Sequence, residues 1–251
     1  MLIGCGLCGN ENEIMRQLIA AVAAVAVAGT CVFTAGCHSQ LNQGPKASTT
    51  TSTTKTKPHP PPVAETALKG FLLSPEEINA AMGATDMKVT NSRDAMSDDS
   101  ATMTPKECLA IDGSAQAQVY AKSGFMAERD QTFDRQEGDN LTHFVEQAVV
   151  LFPTAKQASD FFTASAQQWQ ACHDYTHIQS KTQWTVEATS NTNGVLSTIS
   201  TLQNPPSTGW KSCGRALAVK NNVIVDVNTC SADPKNSAVD IANKIAAKVP
   251  S

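Results

Sequence analysis

Residues 213–230 read CGRALAVKNNVIVDVNTC, two apolar runs separated by Asn221-Asn222. Asn tolerates positive φ, so this pair between β-forming runs predicts a two-residue hairpin turn of type I′. Cys213 lies eight residues before Asn221, and Cys230 lies eight residues after Asn222. Equal arms place the two cysteines opposite each other across an antiparallel pair, so a Cys213–Cys230 bridge is expected. The hairpin makes an antiparallel sheet the starting point for the fold.

Working outward, residues 236–249 predict a closing helix with Val239, Ile241, Ile245 and Val249 turned inward. Strands are expected over 183–188, 194–203 and 209–220, and a central strand over 142–152, where HFVEQAVVLF is rich in β-formers. Between them Pro153 opens the longest helix. Ala155, Ala158, Phe161, Phe162, Ser165, Trp169 and Cys172 recur on one of its faces. Earlier, 117–120 and 124–135 read as strands around a turn at Ser123-Gly124. Residues 91–104 read as a polar loop, and a short helix carrying Cys108 begins at Thr104-Pro105. Ser74-Pro75-Glu76-Glu77 is a capping box that starts a helix, with Leu73 and Ile78 as its staple and Gly83 as its C-cap. Hairpin-linked strands with helices packed on them are α+β.

The start of the chain has a different character. Met15-Arg16 gives a short positive segment, and Leu18 to Ala35 is small and apolar without a charge. Thr34-Ala35-Gly36-Cys37 follows, and resembles the bacterial lipobox with Thr in place of the usual Leu. Residues 1–36 are therefore expected to be a signal peptide, with Cys37 lipidated and the protein held on the extracytoplasmic face of the cell membrane. An uncleaved membrane helix is the competing reading, but eighteen Ala-rich residues are at the lower limit of a span. Glu11 and Glu13 precede the positive segment, which places the expected start at Met15. Cys5 and Cys8 then form a CxxC with no second pair to complete a metal or redox site.

Residues 37–67 are expected to be the lipidated Cys and a disordered linker, because the Thr, Ser, Pro and Lys of this stretch bury too little to offset their ordering entropy. Thr49 to Thr54 beside prolines can carry O-linked sugar. The working domain is expected over 68–251, enough chain for one core. Of eight cysteines, Cys108, Cys172, Cys213 and Cys230 fall in it. Four exported cysteines suggest two disulfides with three possible pairings. The hairpin selects Cys213–Cys230 and leaves Cys108 with Cys172.

The whole chain has 19 basic and 23 acidic side chains, a net charge of −4. Loss of Glu11, Glu13 and Arg16 with the leader brings it to −3. With no basic run, nucleic acid is not an expected partner.

Several of these stretches together resemble one family. They are Trp169-x-x-Cys172, Cys213-x-Arg215, the hairpin 219–230, the closing helix 238–249 and the opening Leu72-Leu73-Ser74-Pro75-Glu76-Glu77-Ile78-Asn79. The family is the PknH-type extracellular sensor domain of mycobacterial Ser/Thr kinases and of stand-alone mycobacterial lipoproteins. The resemblance implies an antiparallel sheet, the same two disulfide pairs and a large cleft for a ligand of unstated identity. The kinase Gly-rich loop, catalytic loop and metal-binding Asp motif are not in the sequence.

No enzymatic chemistry is expected. There is no GxSxG elbow and no HExxH helix. His173 and His177 would share a helix face as metal ligands do, but the helix is expected to end near Cys172 and Tyr175-Thr176 favours extended chain. Neither a metal nor a cofactor is implied. Asp98-Asp99 and Glu137-Gly138-Asp139 read as solvated loop acids. Arg129 and Arg135 are the candidate ligand-binding residues, placed on a strand that could line a cleft. Core packing is expected for Trp169, Trp184 and Trp210. The expected partner is a small molecule, lipid or glycan, or else an envelope enzyme or kinase ectodomain bound by a sheet face.

Overall fold

Cys213 and Cys230 are joined, with Cα atoms 4.0 Å apart, in directly paired positions of two neighbouring strands. A second bridge joins Cys108 to Cys172. These come from a computed structural model that describes residues 60–251. The signal peptide, Cys5 and Cys8, Cys37, Thr49 to Thr54 and most of the expected linker lie outside the described residues.

A 3-10 helix, Glu65–Phe71, leads into α1, Pro75–Met82. Next come β1 (Lys88–Arg93) and β2 (Met103–Thr104), then a 3-10 turn, Lys106–Cys108. Helices α2 (Leu109–Asp112) and α3 (Ala117–Tyr120) precede the long strands β3 (Ala127–Glu137) and β4 (Asn140–Leu151). Helix α4 (Ala155–Gln168) ends in a 3-10 turn, Trp169–Ala171. The remaining strands are β5 (Asp174–His177), β6 (Gln183–Val186), β7 (Ser190–Thr192), β8 (Val195–Leu202), β9 (Ser212–Lys220) and β10 (Val223–Ser231). Helix α5, Ser237–Lys248, closes the fold.

All ten strands join one sheet in the order β1-β3-β4-β10-β9-β8-β6-β5-β2, with β7 paired to β8. Every strand pair in it is antiparallel. On one face, Val145, Val149, Val225 and Val227 pack under α1 and α5 with Leu68, Ile78, Ile241 and Ile245. On the other, Val150, Ile224, Leu196 and Leu217 pack with Phe152, Phe162 and Trp169 around α2 and α4. Both faces of the middle strands are covered, so β10 is buried along its whole length instead of alternating.

Local signals explain the helix ends. Ser74 Oγ accepts from Glu77 N, Glu77 Oε2 accepts from Ser74 N, and Gly83 turns left-handed at φ 65°. Thr154, one residue after Pro153, caps α4 by accepting from Gln157 N. In α5 the innermost positions are Ala238, Ile241, Ala242 and Ile245, while Val239 is only partly buried. Small side chains there let the helix lie close to the sheet.

Four expectations are corrected. Residues 117–120 are helical, because Gln116 O accepts from Val119 N and Tyr120 N while buried contacts hold both ends of the segment. Residues 91–104 are not all loop: β1 covers 88–93 as a polar edge strand, whose exposed side chains carry no apolar alternation. The turn between β9 and β10 is left-handed at Asn221 (φ 51°) but not at Asn222, so it is not type I′. Asn222 is instead fixed by its side chain, which donates to Phe152 O and Val63 O and accepts from Val63 N. Those bonds also show that packing starts before residue 68, a boundary that cuts through the first 3-10 helix.

Candidate functional site

Past the end of α2, the second sheet face is open. A cleft of about 920 Å³ lies there, bounded by β1, β3, β4, β5, β6 and β10 and by the loops around Ser97, Gln179 and Trp210. Strand parity decides who reaches it. On β3, Thr132 and Asp134 line the cleft. Across the register lie Glu146 and Phe144 on β4, then Asn228 and Cys230 on β10.

Arg129 and Arg135 do not line this cleft. They share the parity of Phe133, whose side chain enters the core under the other face. Arg129 Nη2 donates to Glu65 Oε1 at 2.8 Å, and Arg135 pairs with Asp86 and Glu137 at 2.6 Å. Arg93 on β1 occupies the cleft instead. It donates to Asp130 at 3.0 Å and pairs with Glu146. The sequence reading passed over Arg93 because residues 91–104 carried no strand pattern.

The floor of the cleft grades into a buried acidic network. Glu128, Asp130, Glu146 and Asp226 are each under a tenth exposed and stand on the same sheet face. Burial, and then the Asp130 carboxylate, push Glu128 up to about 9, so it is protonated at neutral pH. Burial raises Glu146 to about 7, opposed by the Ser114 hydroxyl, which donates to it at 2.5 Å, and by Arg93. Below the floor, Arg215 is 2% exposed, lies 5.2 Å over the Trp169 ring and donates to Ala110 O and Gly113 O. It thereby holds the segment after α2 against the sheet.

The far wall is aromatic. Tyr175 and Trp184 stack with planes 7° apart, and Phe144 meets Trp210 edge-on at 5.6 Å. Of the three tryptophans expected in the core, Trp169 and Trp184 are buried there, Trp184 bordering the cleft, whereas Trp210 is only half-buried and lines the cleft. Next to this wall His177 Nε2 lies 2.8 Å from Asp112 Oδ1, and that bond raises the His177 pKa above its ordinary value. His173 is not a companion ligand, since β5 is extended and four residues along a strand span about 13 Å. Among the described residues, no group of three or more His, Cys, Asp or Glu is placed to hold a metal. Asp99 lines the cleft and accepts from Gln116, Asp98 accepts from Gln118 nearby, and Gly138 forms the β3–β4 turn at φ 60°.

The chain is similar to parts of mycobacterial kinases. It is 37% identical over 194 residues to serine/threonine-protein kinase PknH of Mycobacterium tuberculosis, covering 76% of this chain and 30% of that one. It is 25% identical over 200 residues to serine/threonine-protein kinase PknJ of the same organism, covering 76% and 34%. It thus spans about a third of the length of these relatives. The crystal structure of the extracellular domain of PknH from Mycobacterium tuberculosis superimposes with a TM-score of 0.69 at 35% identity, covering 75% of this chain and 97% of that one. The model of the PknH-like extracellular domain matches residues 63–248, which include both disulfides, the sheet and the whole cleft wall. The chain belongs to the PknH-like extracellular domain family.

Proposed function

We propose that the protein is a cell-envelope lipoprotein whose domain is a non-catalytic sensor, capturing a small ligand in the cleft between β1 and β6. The single observation that carries this is the cleft, whose volume suits a drug-sized or larger ligand and whose polar groups converge against an aromatic wall. Catalysis is disfavoured by the site's own bonds. Among the described residues no hydroxyl or thiol is hydrogen-bonded to the His177 imidazole that Asp112 holds, and Glu146 is tied to Arg93 and Ser114. Docking to an envelope enzyme or kinase ectodomain is the weaker reading. The exposed large hydrophobics among the described residues are Val89, Met126 and Ile178, on separate parts of the sheet, and they make no continuous patch.

Native mass spectrometry of the protein purified from its own host tests the ligand. A co-purifying small molecule supports capture; repeated absence, with a protein recovered by crosslinking, refutes it. Lipidation rests on the lipobox-like Thr34 to Cys37. Cys37→Ala is expected to abolish metabolic lipid labelling and membrane retention, and normal processing and retention of that variant would refute the anchor.

A further inference from the structure

The lining of the cleft also limits which class of ligand it can hold. Arg93 and His177 are the basic side chains lining it among the described residues. Both are engaged, Arg93 with Asp130 and Glu146, His177 with Asp112. A phosphate or carboxylate would find no free guanidinium for the bidentate pairing that such groups favour. It would also meet the carboxylates of Asp99, Asp112, Asp134 and Glu146. An acyl chain would cover these same polar groups while offering them no hydrogen bond.

Hydroxyl groups fit better, because each O–H both donates and accepts. Asp134 Oδ2 accepts from Thr90, while Asp134 Oδ1 has no protein donor. Trp184 Nε1 is a donor without an acceptor. Both atoms are sealed behind the wall, whereas the side chains of Asn91, Thr132 and Gln179 line the open cleft with amide and hydroxyl groups that both donate and accept. Trp210 and Phe144, both half-buried, present ring surface to the apolar C–H face of a sugar ring.

We infer that the cleft takes an uncharged, polyhydroxylated ligand of the saccharide class. This rests on the ligand-binding reading above. The test screens the full chain on a glycan array and measures hits by tryptophan fluorescence, with laurate and spermidine as controls. At least one neutral oligosaccharide is expected to bind saturably. Trp210→Ala and the near-isosteric Asp134→Asn should each weaken it tenfold or more, the latter with an unchanged melting temperature. No saccharide binding at millimolar concentration, or saccharide binding indifferent to both variants, overturns the inference. Saturable binding of laurate or spermidine that Asp134→Asn weakens, with no sugar binding, overturns the saccharide class but leaves ligand capture standing. A ligand recovered from the host that binds both variants as it binds the parent overturns both.

Discussion

Arg215 Nη1 lies 2.7 Å from Asp226 Oδ1, and both side chains are sealed from solvent on adjacent strands. The other carboxylate oxygen accepts from Tyr120 Oη at 2.9 Å and from Ala115 N at 3.0 Å. One buried pair therefore ties β9, β10, α3 and the segment after α2 together, and that segment borders the cleft.

Removing one partner leaves the other charge buried and alone. Arg215→Met or Asp226→Ala is expected to destabilise the domain by about 3–5 kcal/mol in denaturant unfolding. The double variant Arg215→Met with Asp226→Leu should lose less than the sum of the two, because no orphan charge remains. A single-variant loss below about 1 kcal/mol would show that the pair does not anchor these elements.

The acidic network sets a pH dependence. Glu128 at about 9 and Glu146 at about 7 both lie above the ordinary glutamate value, so the folded protein keeps protons that the unfolded chain has released. Their contribution is fully present below the unfolded value. It is lost as pH rises through 7 for Glu146 and through 9 for Glu128, at no more than about 1.4 kcal/mol per pH unit for each group. The melting temperature should fall between pH 5 and pH 9, and Glu128→Gln should flatten the slope from pH 7 to 9. A melting temperature that rises over that range would contradict the assignment.

His177 provides a direct probe of the cleft wall. Its hydrogen bond to Asp112 raises its pKa, and partial burial opposes that. Its imidazole resonances should titrate above pH 6.5, and in Asp112→Asn the midpoint should drop. The ion pair's stabilisation is present at low pH and lost as pH rises through the folded value. An unchanged midpoint in the variant would mean that the two side chains are not paired in solution.

The hairpin was readable because its signals are local: two apolar runs, two asparagines and two cysteines at equal distance. The capping box at Ser74 and the face of α4 were readable for the same reason. Segment 117–120 was not, because Gln116, Ser97 and Asp99 fix it through contacts across about twenty residues of chain. Strand β1 lacked a pattern because an exposed edge has no apolar side to reveal it. The cleft draws on strands scattered from β1 to β10, so no single stretch announces it. Parity on β3 did carry a usable clue: Arg129 and Arg135 alternate with Asp130, Thr132 and Asp134, and Phe133 marks the core side. Arg93 had no such clue.

Hydrogen–deuterium exchange with and without envelope extract from the host tests whether the cleft is where this domain meets its ligand. Exchange should slow at β1, at the loops around Ser97 and Gln179, and at residues 203–211. Helices α1 and α5, on the far face of the sheet, should be unchanged. Protection confined to α1 and α5, or none at the cleft while a ligand is bound, would contradict it.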